Sequence, residues 1–259
     1  MKAIILGAGQ GRRLLPLTAD TPKALLEAGG RPLVAWQIAS LVASGVDEVV
    51  FVAGFGIPLV EAVLHDLALN FPRCRFRVLF NPFFGVADNL ASCWLARGEM
   101  LDDFLLINGD TLFEPGVCVK LLSSPPAPVT VAIDRKTVYD ADDMKVRLDG
   151  LRLIDVGKTL SPQHVHGESI GMILFRSEGA VAFARALDER IREEGALGLW
   201  YLSVIASLSR LIGVRTCLIA GHDWCEVDDC FDLARAEAMV GAWQSLWGRA
   251  GRSLAVVLD

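Results

Sequence analysis

The chain has no run of about 18 uncharged apolar residues, the length that a membrane-spanning helix requires. Its apolar start also lacks the cleavage pattern of a secretory leader, because the segment from Gly7 to Arg13 interrupts it almost at once. Excess positive charge is missing too: the 259 residues have a net charge of −6, which argues against a general nucleic-acid surface. We therefore expect a cytoplasmic protein with no membrane or nucleic-acid partner and a small anionic substrate.

Paired metal-binding motifs are absent as well. The six cysteines form no Cys-x-x-Cys pair and show no zinc spacing with the four histidines, so we expect reduced thiols. No internal repeat, low-complexity segment or clear linker divides the chain. Its length suits a single large α/β domain with a sizeable core.

Short apolar segments that predict strands alternate with segments of helical periodicity through the first half of the chain. Strands are predicted at 1–6, 48–53, 75–80 and 103–107, and helices after Pro32, at 58–70 and at 90–98, the last capped by Asn89. This alternation implies a parallel sheet covered on both faces. The pattern loosens after residue 126, where further strands are predicted at 129–133, 144–148, 151–156, 169–175 and 214–220. Helices follow at about 178–194, 199–211 and 231–247, and a short apolar tail at 253–259.

A glycine-rich turn follows the first predicted strand. Gly7, Gly9 and Gly11 have no Cβ atom, so backbone N–H groups at this turn are able to approach an anion closely. Three cations lie within reach of the same turn: Arg12, Arg13 and Lys23. A dinucleotide-binding fingerprint is disfavoured, because Pro16 and Pro22 prevent a continuous helix after the glycines, and the Gly-Lys-Ser/Thr of a Walker A loop is absent. A tight strand exit without a ligand would leave the cations unexplained, so we interpret the turn as a site for a nucleotide's phosphates.

The stretch from Leu6 to Lys23 resembles the Leu-x-Ala-Gly-x-Gly-x-Arg-Leu, Pro-x-Thr and Thr-Pro-Lys pattern of the nucleotidyltransferases that make nucleotide-sugars and related CDP- or UDP-linked compounds. Gly7 is a mild departure, since that family usually has alanine there. The resemblance implies an α/β, Rossmann-like nucleotidyltransferase (GT-A-like) fold with a mostly parallel mixed sheet flanked by helices. It implies that the loop amides hold the triphosphate, while Arg13 and Lys23 neutralise it and the departing pyrophosphate. The implied nucleotide-binding residues are Leu6, Ala8, Gly9, Gly11, Arg13, Lys23, Asn89 and Ser92.

Two acidic segments of the chain are candidates for binding the metal ion that a nucleotide site requires. Asp110 follows a predicted strand, and ligands bind at the carboxyl ends of parallel strands, although a turn or helix-cap aspartate would look the same. Glu226 and Asp228 are two apart, so in a strand both would project to one face, as would exposed acids on an edge strand. By resemblance, Asn108-Gly-Asp110 and Trp224-Cys-Glu-Val-Asp228 are the family's two metal motifs, which implies Mg²⁺ held by Asp110, Asp228 and, in support, Glu226. Asp229 is expected to cap the following helix.

Later segments resemble one branch of the family. The segments 81–94, 143–146, 156–158 and 167–171 are similar to those of bacterial phosphocholine cytidylyltransferases and inositol-phosphate cytidylyltransferases. This resemblance implies that Asn89 and Ser92 lie near the base and ribose. The implied acceptor-binding residues are Lys145, Lys158, Glu168, Trp200 and Tyr201. Lys145 has a solvated lysine as its alternative, and Glu168 has a structural ion pair. Trp200 and Tyr201 have packing in the core as their alternative.

Choline recognition uses aromatic faces, because a quaternary ammonium donates no N–H hydrogen bond. Trp200 and Tyr201 stand where choline enzymes carry aromatic residues, but the acid that often accompanies them is replaced by Leu202 and Ser203. We expect a single domain over 1–259, with an NTP-binding part at about 1–135, an acceptor-binding part at about 136–222, and the late metal motif with a C-terminal helix at about 223–259.

The hypothesis is Mg²⁺-dependent transfer of CMP from CTP to a small phosphate monoester such as phosphocholine, with Arg13, Lys23, Asp110 and Asp228 as the catalytic residues. One alternative is a sugar-1-phosphate or inositol-phosphate nucleotidyltransferase that uses UTP, dTTP or CTP. The other is a catalytically silent nucleotide-binding regulatory protein. A homodimer is compatible with all three.

Overall fold

In a computed structural model, residues 1–249 are described, with the backbone alone for 246–249. The apolar tail predicted at 253–259 lies outside them. The chain divides into two compact units, each assembled from separate segments: unit 1 from Met1–Gly85, Asn108–Cys118 and the described part of His222–Asp259, and unit 2 from Val86–Ile107 and Val119–Gly221. None of the helices described is both long and apolar enough to cross a bilayer.

Unit 1 contains three parallel strands in the order β5-β4-β1, two small antiparallel ribbons, β2–β3 and β7–β13, and three long helices. Its strands are β1 (Lys2–Leu6), β2 (Glu27–Ala28), β3 (Arg31–Pro32), β4 (Glu48–Ala53), β5 (Arg75–Phe80), β7 (Thr111–Phe113) and β13 (Trp224–Glu226). Its helices are α1 (Leu33–Ala43), α2 (Ile57–Asn70) and α7 (Cys230–Arg249), and α4 (Pro115–Leu122) starts in this unit.

Unit 2 contains a mixed sheet in the order β6-β11-β8-β12-β10-β9, in which β11 is antiparallel to β6 and β8 and also pairs antiparallel with β9. Its strands are β6 (Phe104–Asn108, ending at the boundary), β8 (Val129–Asp134), β9 (Lys145–Asp149), β10 (Arg152–Gly157), β11 (Gly167–Phe175) and β12 (Val214–Leu218). Its helices are α3 (Asn89–Leu95), α5 (Glu178–Arg190) and α6 (Leu202–Leu208). The predicted mixed sheet with flanking helices is confirmed.

Each unit has its own aromatic core. In unit 1, Trp36 of α1 meets Trp243 of α7 edge to face, with ring centroids 6.3 Å apart. In unit 2, Phe175 stacks between Phe104 and Phe183, at centroid distances of 4.6 and 4.4 Å. The unit boundaries differ from the predicted division at about 135 and 222. Residues 86–107 and 119–135 belong to unit 2, because β6 and β8 both hydrogen-bond to β11.

Candidate active site

The glycine-rich turn follows the carboxyl end of β1 and is hydrogen-bonded by the later residue Thr18. Gly11 has φ +77°, the left-handed region that suits glycine, and a Cβ there would lie 2.9 Å from Cβ of Lys23. The hydroxyl of the fully buried Thr18 donates to the carbonyl of Gly11 at 2.8 Å. Gly9 is exposed, whereas Ala8 is buried and its carbonyl accepts from the amide of Phe55. Together with Lys23 and Asp110, the turn lines a cavity of about 60 Å³.

The departure from alanine at Gly7 has a physical reason. A Cβ at Gly7 would lie 2.1 Å from the ring of Phe51, which is fully buried in β4. Real Cβ atoms do not approach other atoms so closely. The aromatic ring of Phe51 therefore occupies the space that an alanine side chain needs.

Lys23 lies between two carboxylates. Its Nζ donates to Oδ2 of Asp110 at 2.8 Å and to Oδ1 of Asp228 at 2.7 Å. Arg13 also reaches Oδ1 of Asp228, at 3.0 Å. Burial disfavours the charged form of Lys23, but the two carboxylates outweigh burial and raise its pKa. Burial likewise opposes ionisation of Asp228, and the two cations outweigh it, so that its pKa is lowered. The structure thus brings together all four predicted catalytic residues, within unit 1.

A buried amide that the sequence analysis missed holds the turn of Asp110. Gln37, in the middle of α1 and 1% exposed, donates from Nε2 to the carbonyl of Asn108 at 2.9 Å and to that of Thr111 at 2.7 Å. These carbonyls flank Asp110 on both sides. A polar residue on the buried face of an otherwise apolar helix was the available signal, because buried amides are kept for hydrogen bonds.

Asp228 lies beyond the strand in which it was predicted. Strand β13 ends at Glu226, so the expectation that Glu226 and Asp228 share a strand face is wrong. The chain turns because the amides of Asp228 and Asp229 both donate to Oδ2 of Asp232, at 3.0 and 3.3 Å. The amide of Val227 donates to the carbonyl of Asp110 at 3.1 Å, which joins the two acidic segments.

The predicted helix cap at Asp229 is confirmed. Its Oδ1 accepts from the amides of Phe231 and Asp232, at 2.8 and 3.0 Å, at the start of α7.

The fit of a magnesium ion depends on Asp110 and Asp228. Over residues 1–249, no three Asp, Glu, His or Cys side chains are grouped closely enough to hold a metal by themselves. However, Oδ1 of Asp110 is buried and has no hydrogen-bond partner in that part of the chain. Such an orphaned oxygen is costly unless a ligand completes it. Two carboxylates suit an ion that takes its other ligands from phosphate oxygens and water, so these residues fit Mg²⁺. Participation of Glu226 stays a prediction.

The predicted base-and-ribose residues lie in α3 of unit 2. Asn89 is the first residue of the helix and does not cap it, contrary to prediction; Asp88 caps it, with Oδ1 accepting from the Asn89 amide at 2.9 Å. The side-chain oxygen of Asn89 instead accepts from the amide of Tyr201 at 3.0 Å. Ser92 is buried on the same helix.

Among the predicted acceptor residues, Lys145 is hydrogen-bonded to backbone carbonyls of the protein. It is 5% exposed, and its ammonium donates to the carbonyls of Asp140, Asp143 and Lys158. These bonds use its three donors on the backbone of the acidic turn 140–143 and of the segment after β10. Its role in binding an acceptor phosphate stays a prediction.

Lys158 and Trp200 form a pair. Nζ of Lys158 lies 4.5 Å from the centroid of the Trp200 ring and 3.1 Å from Oδ1 of Asp142. The Trp200 side chain is partly exposed, whereas the Tyr201 ring is fully buried and has no surface for a ligand. The structure therefore places Tyr201 among the core residues, and it places a cation of the protein itself on the aromatic face of Trp200.

Glu168 belongs to an ionic cluster. Nζ of Lys136 lies 3.0 Å from Oε2 of Glu168 and 2.7 Å from Oδ1 of Asp143. Burial raises the pKa of Glu168 to about 7 despite the attraction of Lys136, and the neighbouring Asp143 adds to the rise. Near neutral pH, Glu168 is therefore partly protonated, whereas exposed glutamates are ionised.

This proton gives a stability prediction. The pKa of Glu168 rises from 4.5 when exposed to about 7 in the fold, so between these values the folded state binds more protons and its unfolding free energy falls as the pH rises. One pKa unit corresponds to about 1.4 kcal/mol, and since the titration is shared with Asp143 we expect a loss of the order of 1–2 kcal/mol between about pH 5 and about pH 8. Urea unfolding of Glu168→Gln should show a flatter dependence over this range. The exposed Glu194→Gln should keep the wild-type slope, and an equally steep slope in Glu168→Gln would contradict the assignment.

The sequence of the chain is similar to a known protein family and to several characterised proteins. The family described as the MobA-like NTP transferase domain matches residues 3–198. The CTP:phosphoglutamine cytidylyltransferase of Campylobacter jejuni is 24% identical over 254 residues, which cover 90% of this chain and 98% of that protein. The N-acetylmuramate alpha-1-phosphate uridylyltransferase of Neisseria meningitidis is 50% identical over 112 residues, and the choline-phosphate cytidylyltransferase of Streptococcus pneumoniae is 30% identical over 114. These matches cover 43% and 44% of this chain, and 48% and 47% of the length of those two relatives.

Solved structures share the fold. The inositol-1-phosphate CTP transferase of T. maritima superimposes with a TM-score of 0.78 at 23% identity, covering 92% of this chain and 94% of the other. The CTP:phosphocholine cytidylyltransferase of Streptococcus pneumoniae superimposes with a TM-score of 0.73 at 20% identity, covering 92% and 98%. The predicted nucleotidyltransferase fold is confirmed.

Proposed function

The chain belongs to the family of MobA-like NTP transferase domains, and on that premise we propose that it transfers CMP from CTP to a small phosphate monoester, releasing pyrophosphate. The observation that carries the proposal is Lys23, held at 2.8 and 2.7 Å between Asp110 and Asp228 beside the glycine-rich turn. A mostly buried cation with two acidic partners, beside a glycine-rich turn, is suited to exchanging its carboxylates for phosphate oxygens. Arg13, on Asp228 at 3.0 Å, is suited to the same exchange.

In the proposed reaction, an oxygen of the acceptor phosphate attacks the α-phosphorus of the nucleotide. The new P–O bond forms as the bond between the α-phosphorus and the bridging oxygen to the β-phosphate breaks, and that oxygen leaves with pyrophosphate. A phosphate monoester is already a competent nucleophile, so the reaction needs no base to activate it. Lys23 and Arg13 stabilise the charge that grows on pyrophosphate, and the turn orients the triphosphate.

Asp110 and Asp228 are the residues that would hold Mg²⁺. A bound Mg²⁺ supplies Lewis-acid neutralisation of phosphate charge. The orphaned Oδ1 of Asp110 supports this assignment. Gln37 keeps Asp110 in position by binding the carbonyls on both sides of it, and the Val227 amide links the two acidic segments.

Support for CTP comes from three of the proteins that match most of this chain. The C. jejuni relative and the two solved structures are all named for reactions of CTP. The relatives agree less on the acceptor, but the position of Lys158 argues against a choline group. Because its ammonium already lies 4.5 Å from the Trp200 ring, a quaternary ammonium would have to displace it from that face. We therefore propose an acceptor that is a phosphate ester without a quaternary ammonium.

A second candidate is transfer of UMP to a sugar 1-phosphate. The observation in its favour is the 50% identity to the N. meningitidis uridylyltransferase, over 43% of this chain. The catalytic residues would act in the same way, since only the base and the acceptor differ. A catalytically silent regulatory protein is disfavoured, because such a protein has no need to keep Arg13, Lys23, Asp110 and Asp228 together.

Pyrophosphate release, measured with an NTP and acceptor panel, tests the proposal. We expect turnover with CTP at least about tenfold above that with UTP or dTTP, and phosphocholine to be a poorer acceptor than phosphate esters that lack a quaternary ammonium. Each tenfold preference corresponds to about 1.4 kcal/mol in the transition state. Preference for UTP with a sugar 1-phosphate would establish the second candidate, and no release with any pair would support the silent protein.

A further inference from the structure

Three exposed arginines of unit 2 have no side-chain partner among the described residues. Unit 2 contains ten arginines in all. Seven of them lie on a carboxylate or a backbone carbonyl: Arg97, Arg135, Arg147, Arg176, Arg185, Arg190 and Arg192. The other three, Arg152, Arg210 and Arg215, have no hydrogen bond or ion pair from their side chains to any residue of the described chain.

These three arginines line a single cavity of about 430 Å³. Arg152 begins β10, Arg215 lies in β12, and Arg210 lies in the turn between α6 and β12. The rest of the lining is the apolar turn 211–214. The volume lies within the range of about 300–1,000 Å³ that is usual for small-molecule sites. Within unit 2, the arginines that have no partner among the described residues therefore lie together at one concave place.

Two of the three oppose each other across the sheet. Strands β10 and β12 are antiparallel, and Arg152 and Arg215 are directly paired in register. Like charges at such positions repel and destabilise the sheet. The sequence offers Asp149 as the other cross-strand neighbour of Arg152, yet the two side chains form no ion pair in the described chain. Among the described residues none offsets this repulsion, and a bound anion would relieve it.

We propose that this cavity is a binding site for a small anion with linked phosphate groups, of which pyrophosphate is the simplest. The guanidinium group has a planar fork of donors that matches phosphate oxygens, and three such groups suit several negative charges on one compact ligand. An extended polyanion fits less well, because the site has only three cations and the whole chain has a net charge of −6. The lining contains none of the residues assigned to nucleotide, acceptor or metal. If pyrophosphate is also the reaction product, the cavity is a product-sensing site; that link rests on the proposed function, and the binding itself does not.

Titration calorimetry with pyrophosphate tests the site, at constant ionic strength and without divalent cations. The cavity variant is Arg152→Gln, Arg210→Gln and Arg215→Gln together. The matched control is Arg185→Gln, Arg190→Gln and Arg192→Gln, which removes the same charge from three arginines of unit 2 that have acidic partners. Wild type and control should each bind one more pyrophosphate per chain than the cavity variant does.

This experiment distinguishes pyrophosphate binding at the arginine cavity from binding at the glycine-rich turn. If the glycine-rich turn binds no pyrophosphate, all three proteins lose one site and the difference between them remains. Equal stoichiometry in wild type and cavity variant would overturn the proposal. Equal competition by citrate would overturn the phosphate assignment, and binding of heparin without binding of pyrophosphate would point to a macromolecular polyanion instead.

A single substitution gives a second test that needs no ligand. Arg215→Gln removes the repulsion with Arg152, so at low ionic strength its melting temperature should rise by about 1–3 °C above wild type. Pyrophosphate should raise the melting temperature of wild type and have a smaller effect on Arg215→Gln. Salt at about 0.5 M screens exposed charges and should remove the difference. A lower melting temperature for Arg215→Gln at low salt would show that the arginine pair is not strained.

Discussion

Replacing Asp110 by asparagine is expected to lower pyrophosphate release by about 10³-fold or more while the protein stays folded. The substitution keeps the shape of the side chain and removes the charge that Lys23 and a bound metal both need. Loss of a metal ligand costs several kcal/mol of transition-state stabilisation, and about 4 kcal/mol corresponds to 10³ in rate. Steady-state rates at saturating CTP and Mg²⁺ measure the effect. The backbone at residue 110 should keep its position in the variant, because Gln37 binds the carbonyls of Asn108 and Thr111 and not the carboxylate.

The matched control is Asp66→Asn, an exposed aspartate of α2 in the same unit. It should leave the rate unchanged within about twofold. Circular dichroism and thermal unfolding of both variants separate loss of chemistry from loss of fold. A rate for Asp110→Asn near that of wild type at saturating Mg²⁺ would remove Asp110 from the metal site.

Local sequence patterns were enough to predict the strands of five or more residues and to select candidate site residues in unit 1. Strand β1 is buried on both faces, so its short apolar run is recognisable, and the glycines mark where it ends. Lys23 and Asp110 are 87 residues apart, and only the family resemblance predicted that both belong to one site. The structure agrees, because it places Lys23 on Asp110 and Asp228 at hydrogen-bonding distance.

Features that depend on tertiary contacts could not be predicted from the sequence. Asn89 and Asp88 are both good helix caps, and Asp88 is the cap because Asn89 bonds to the amide of Tyr201, 112 residues away. The sequence offered Lys145 as an acceptor-phosphate ligand or a solvated lysine; in the fold, the turn 140–143 and the residue that follows the neighbouring strand β10 supply carbonyls for its ammonium. Polar groups are recognisable in a sequence, but their hydrogen-bond partners lie in segments that come together only on folding.

Small elements were missed for a related reason. Strands β7 and β13 have three residues each and stabilise each other as an antiparallel pair, so neither has a periodicity of its own. That ribbon also explains the misplacement of Asp228. The pairing ends at Glu226 opposite Thr111, and the chain then turns into α7 under the control of Asp232. A two-residue alternation in sequence predicts a shared face only while the strand continues.

The remaining large effect is expected for Lys23→Met, which should lower pyrophosphate release by about 10²-fold or more, the usual cost of removing one preorganised donor to transition-state charge. The substitution should also change metal binding in the absence of substrate. The ammonium of Lys23 lies on Oδ2 of Asp110 and Oδ1 of Asp228, and these are the two carboxylates that would hold a divalent ion. Without that cation, Asp110 and Asp228 keep among the described residues only Arg13, on Asp228, as a neutralising partner, and a divalent ion would relieve the remaining negative charge.

Mn²⁺ titration followed by electron paramagnetic resonance provides the readout that does not depend on activity. Wild type should bind Mn²⁺ weakly alone and at least about tenfold more tightly with CTP, because the triphosphate draws Lys23 away from the carboxylates and adds ligands of its own. Lys23→Met should bind Mn²⁺ without nucleotide, and CTP should add less. Lys120→Met, on α4, should behave as wild type in both assays. Tight Mn²⁺ binding to wild type without nucleotide would show that Lys23 does not compete with the metal, and the rate loss in Lys23→Met would then have to arise from the triphosphate alone.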